Sequence, residues 1–107
     1  MLRTHTCGEL RLTHSQQQVT LCGWVQTIRD KGNLLWIDLR DRYGLTQLVL
    51  QQGTTSQQLF HQGKKLSRED VICVAGEVVP RKAPNPDLAT GAIEVAPTFL
   101  QLLTQQL

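Results

Sequence analysis

Several things are missing from this sequence, and each absence excludes a class of protein. No stretch approaches the roughly 20 consecutive apolar residues that a membrane span needs. The opening MLRTHTCGELRL lacks the long apolar segment of a secretory signal, so the chain reads as cytoplasmic. Cysteine is scarce: Cys7, Cys22 and Cys73 are odd in number and widely spaced, with no C-x-x-C pair and no histidine at zinc-finger distance. Neither a disulfide framework nor a metal site is indicated, and the three are expected to be core thiols. Charge of one sign is also lacking, since 11 Lys and Arg face 9 Asp and Glu for a net charge of +2. With a pI near 8.6, the balance permits nucleic-acid binding without demanding it. Glutamine recurs at Gln16 to Gln18, Gln51-Gln52 and Gln57-Gln58, but never in low-complexity runs.

The signatures of catalysis are absent too. There is no nucleophile elbow, metal-ligand set or phosphate loop. The carboxylates that a small hydrolase or transferase would need, Asp30, Asp38 and Asp41, sit beside turns or near arginines, while His14 and His61 are isolated. Lone histidines of this kind are more often structural than catalytic.

What is present is patterned strand. At 107 residues the chain is one domain, with room for its own core. The run Gly23 to Leu50 reads as three antiparallel strands punctuated by the turn signals Lys31-Gly32-Asn33 and Asp41-Arg42-Tyr43-Gly44. In the middle strand Leu35, Ile37 and Leu39 share one face, and Leu34, Trp36, Asp38 and Arg40 the other. A large ring thus lies on the polar face, with Arg29 near it on the preceding strand and Gln47 on the following one. A ring offers stacking to an unpaired base, worth roughly 1–3 kcal/mol, while Arg and Gln offer hydrogen bonds to base edges or phosphate. Against this stands the plainer reading that Trp36 caps one end of a small core.

Around this run the first strand spans about Val19 to Arg29, with Gly23 as its expected bulge. The third spans Leu45 to Leu50. If Gln47 faces the Trp36 side, Leu48 and Leu50 go to the core. Thr54 to Leu66 is expected to form one short amphipathic helix, capped by Thr54, Thr55 or Ser56 and anchored by Leu59, Phe60 and Leu66. VICVAGEVV suits a buried fourth strand with a second bulge at Gly76. PRKAPNPDLATG is a loop, and Ala92 to Ala96 a fifth strand able to continue past Pro97 to Leu102. Three strands, helix, strand, loop, strand is the order of an all-β fold with one short helix, the five-stranded OB-fold Greek-key barrel. Its second and third strands and two of its loops bind oligonucleotides.

RTHTCGELR, VTLCGWV, RDKGNLLWIDLRDRYGLTQLV and NPDLATGAIEV resemble, in order and spacing, the N-terminal anticodon-binding domain of bacterial-type aspartyl-tRNA synthetases. The resemblance covers nearly the whole chain, 1–107, with 1–18 as a lead-in. It implies that Trp36 stands where the family usually has a phenylalanine stacking on the middle anticodon base. Arg29 and Gln47 match residues that contact that base, Glu94 the glutamate reading the first anticodon base, and Arg81 and Asn85 loop residues near the remaining base and backbone. The chain differs in having Gln26-Thr27-Ile28 where relatives cluster arginines, in a shortened loop between strands four and five, and in Ala92 where a glutamate is usual.

The resemblance implies a tRNA anticodon recognition module of an aspartate-tRNA ligase, a class II aminoacyl-tRNA synthetase, with the tRNA(Asp) anticodon loop as partner. The alternative is a freestanding single-stranded nucleic-acid binder without sequence specificity. No cofactor is expected in this chain, because ATP and Mg belong to the catalytic domain of such a synthetase, which the chain lacks. It is therefore expected not to be an enzyme alone, and to be a monomer, whereas the full-length parent is a homodimer.

Overall fold

Residues that alternate in polarity point alternately to the two faces of a strand, and five such strands close a barrel in the computed structural model, which describes residues 2–104. Strand β1 is Gln18–Asp30, β2 Leu34–Asp41, β3 Gly44–Gln51, β4 Val71–Pro80 and β5 Ile93–Thr104. Helix α1, Gln57–Lys64, falls between β3 and β4, and a 3-10 turn at Leu12–His14 precedes β1. The order around the barrel is β1-β2-β3-β5-β4, with β4 closing on β1. Among the five described strands only the β3–β5 pair is parallel, meeting at Leu48 and Val95. This is the expected five-stranded barrel, with its helix in the expected place.

The inward set follows the alternation. Val19, Leu21, Val25, Leu35, Ile37, Leu39, Leu48, Leu50, Ile72, Val74, Val78, Ile93 and Val95 are buried, each contributing about 1.5–3 kcal/mol by leaving water. Leu48 and Leu50 go inward, which resolves the two registers of β3 and turns Gln47 to the Trp36 side. Leu59 and Phe60 of α1 join this core.

The lead-in is pinned rather than loose. The Thr4 N–H donates to the Thr20 carbonyl at 2.9 Å, and the Cys7 N–H to Asp41 Oδ2 at 2.8 Å. The Thr46 hydroxyl donates to the Cys7 carbonyl at 2.7 Å, which seats Cys7 and Leu10 in the core.

Three expectations are corrected. The β1 bulge is not at Gly23, which pairs in register with Ile72; the register slips instead between Val25 and Thr27. Gly23 is needed for close approach, since a Cβ there would stand 2.3 Å from the Arg40 carbonyl oxygen. At Gly76 the register does slip, with Thr98 of β5 as the unpaired residue. The helix is shorter than Thr54 to Leu66, because the Thr55 hydroxyl accepts from the Gln51 N–H and Ser56 is the cap, its Oγ accepting from the Leu59 N–H. Finally, only Cys7 is a free buried thiol; Cys22 and Cys73 form a disulfide. They sit directly opposite on β1 and β4, a proximity created by barrel closure and invisible in their spacing along the chain.

Candidate nucleic-acid interface

Because Leu35 and Ile37 are fully buried, Trp36 must lie on the outside of the barrel, where it is half-buried. It pairs across β1 with Arg29 and across β3 with Val49, and the Arg29 guanidinium carbon lies 5.3 Å from the ring centroid. One step along, Asp38 pairs with Gln47 and accepts from the Thr27 hydroxyl.

Gln47 links three strands. Its Oε1 accepts from Arg29 Nη2 at 2.8 Å, and its Nε2 donates to Glu94 Oε1 at 2.7 Å. Gln47 and Glu94 are 6% and 8% exposed, so each is held mainly by protein partners while still lining the groove. The flanking cation and carboxylate fix which way the amide points, and each of its ends retains capacity for one more hydrogen bond.

The β4–β5 loop, residues 81–92, forms the other wall. Arg81 Nε donates to the Ile93 carbonyl at 2.9 Å, while its Nη2 is buried with no partner among the described residues. Burial is the main cause of the lowered Arg81 pKa, with Glu94 and Asp38 opposing it. Asn85 is held through its backbone: its N–H donates to the Gly91 carbonyl at 2.9 Å, and a Cβ on Gly91 would fall 1.8 Å from the Asn85 carbonyl oxygen. The side-chain Oδ1 accepts from the Asp87 N–H. The Thr90 hydroxyl donates to the Leu45 carbonyl and ties the loop to β3.

All six residues singled out in the sequence, Arg29, Trp36, Gln47, Arg81, Asn85 and Glu94, line one groove of about 700 Å³. Lys82, Gln51, Thr54 and Thr55 also line it and were missed. The two threonines read as helix caps, and Lys82 as one loop charge among others. Three cations, Arg29, Arg81 and Lys82, face one carboxylate, Glu94. The walls are otherwise apolar at Leu34, Val49, Val79 and Ala96. A flat ring beside paired donors and acceptors in a mildly positive groove can stack a base and bond its edge.

The residues of the enzymatic reading do not converge. Asp41 accepts from the N–H groups of Cys7, Tyr43 and Gly44, and Asp30 is ion-paired with Lys64 at 2.7 Å. His14 accepts from the Arg11 N–H, and His61 is exposed on α1. Among the described residues no three or more His, Cys, Asp or Glu gather as a metal site. No helix among them is long and apolar enough to cross a membrane.

Residues 19–103 match the model of the family described as OB-fold nucleic acid binding domain, and the chain belongs to that family. Within it, the likeness to aspartyl-tRNA synthetases is borne out. The chain is 55% identical over 103 residues to the aspartate–tRNA ligase of Amoebophilus asiaticus, covering 96% of this chain. It spans 16–18% of the length of such curated relatives. Among solved structures, the OBody AM3L09 bound to hen egg-white lysozyme superposes with a TM-score of 0.89 at 26% identity, covering 99% of each chain. The asparaginyl-tRNA synthetase of Pyrococcus horikoshii complexed with asparaginyl-adenylate superposes with a TM-score of 0.82 at 28% identity, over 99% of this chain and 23% of that one.

Proposed function

We propose that the groove receives the unpaired anticodon bases of the tRNA that accepts aspartate, and that the chain is the anticodon-binding part of an aspartate–tRNA ligase. The observation that carries this reading is the linked set on one open face: the Trp36 ring beside the Arg29 guanidinium, and Gln47 bridging Arg29 to Glu94. Trp36 stacks on the middle base, with Arg29 and Gln47 bonding its edge. Glu94, an acceptor-only carboxylate, selects a first base that presents N–H donors. Arg81, whose Nη2 has no partner among the described residues, and Asn85 take the remaining base and the backbone. Activation of aspartate with ATP and Mg, homodimer formation and a cytoplasmic setting are assigned to the whole ligase.

Titrating a labelled anticodon stem-loop tests this. Trp36→Ala is expected to weaken binding about ten-fold or more, the loss of one stacked base; equal binding by both proteins would show that the ring only packs. Exchanging the middle base of the loop should weaken binding to the parent chain. Unchanged affinity there would reduce the module to a binder of any single strand.

A further inference from the structure

The outward direction of Arg29 is not what the start of β1 leads to. Val19, Leu21 and Val25 are buried and fall at even steps, and continued alternation would turn Thr27 and Arg29 inward with them. Instead Ile28 packs against the core and Arg29 stands opposite Trp36. One residue makes the difference. Val25 pairs with Leu39 and Thr27 with the adjacent Asp38, which leaves Gln26 as an extra residue in the strand. An insertion of one exchanges the two faces for everything beyond it.

Gln26 is held from two sides. Arg40 Nε of β2 donates to its side-chain Oε1, and Arg68 Nε, from the segment between α1 and β4, donates to its carbonyl at 3.0 Å. The same segment clasps the neighbouring residue: the Val25 N–H donates to the Asp70 carbonyl at 2.8 Å, and the Glu69 N–H to the Val25 carbonyl at 2.7 Å. Glu69 has a φ of 74°, a left-handed backbone that a residue with a side chain keeps only where its surroundings impose it. Asp70, 1% exposed, closes the turn by accepting from the Ser67 N–H at 2.8 Å. We infer that Arg68 is a positioning residue for the groove, which it does not line: by fixing Gln26 as the extra residue it turns Arg29 toward Trp36 and Gln47. The inference rests on the groove being a nucleic-acid site. Without the Arg68 contact the extra residue can move along β1 toward Asp30, and a bulge beyond Arg29 leaves that arginine on the inward phase.

The test reads Arg29 in two ways, by the indole N–H signal of Trp36 in nitrogen-edited NMR and by titration with the anticodon stem-loop. Arg68→Ala should shift the indole signal toward its position in Arg29→Ala. It should also weaken stem-loop binding about five-fold, much of the roughly ten-fold loss expected when Arg29→Ala removes one charge-assisted hydrogen bond. The two losses should not add, so the double variant binds no worse than Arg29→Ala alone. Arg68→Lys, which keeps a donor, should restore both readouts. Deleting Gln26 from Arg68→Ala should restore them as well, because a regular strand carries Arg29 to the same partner with no bulge to hold, whereas a loss caused by general destabilisation would deepen. An indole signal that Arg68→Ala leaves in place, losses that add, or no recovery on deleting Gln26 overturns the positioning role while the groove reading stands. Failure of the parent chain to bind the stem-loop overturns the groove reading, and with it any part for Arg68 in RNA recognition.

Discussion

Cys7 is fully buried beside Asp41, and burial is the first cause, with that carboxylate second, of a thiol pKa raised far above its ordinary 9.0. In the unfolded chain the thiol ionises near its ordinary value. Its contribution to stability is therefore fully present below about pH 9 and declines as pH climbs toward the raised folded value. Between about pH 8 and about pH 10 the urea midpoint of the parent chain should fall more steeply than that of Cys7→Ala, and equal slopes would contradict the buried neutral thiol. The same contrast between a residue and its surroundings holds in the groove. That Trp36 lies on the polar face follows from its place along β2, whereas the face taken by Gln47 was open between two registers of β3 and is settled by the burial of Leu48 and Leu50. That the Gln47 amide is oriented by Arg29 on one side and Glu94 on the other depends on β5 arriving beside β3.

Helix α1 buries Leu59 and Phe60, so its start matters to the barrel. Ser56→Ala removes the hydroxyl that accepts from the Leu59 N–H and should cost about 1 kcal/mol in urea denaturation. Thr54→Ala, whose side chain caps nothing among the described residues, should cost little. The three hydroxyl residues before the helix look equivalent in sequence, and the choice among them was made by the end of β3, where the Gln51 N–H takes the Thr55 hydroxyl. The β4–β5 loop gives a prediction of the opposite kind. Gly91→Ala drives a Cβ into the Asn85 carbonyl and must shift the wall that carries Asn85 and Arg81. Binding of the stem-loop should weaken by the roughly 1–3 kcal/mol of a base contact, while circular dichroism still reports the strands.

For the whole molecule the new constraint is the Cys22–Cys73 bridge, which joins residues 51 apart in sequence across the β1–β4 seam. A crosslink closing a loop of that size is worth up to about 4 kcal/mol through the unfolded state. Reductant, or Cys22→Ser with Cys73→Ser, should lower the urea midpoint accordingly. RNA affinity should be unchanged, because neither cysteine lines the groove. A midpoint insensitive to reductant would show that the two thiols are not joined.

By itself the sequence determined the inward face of β2, how many strands there are, where the helix falls and that Trp36 stands on the polar face, while Arg81, Asn85 and Glu94 entered only through the family resemblance. Polarity alternation and turn chemistry act within a few residues and are written locally. Only the tertiary structure decided the cysteine pairing, the move of the β1 bulge away from Gly23, and the face and orientation of Gln47. Each of these depends on strands remote in sequence being brought together when the barrel closes, and no local pattern encodes that distance.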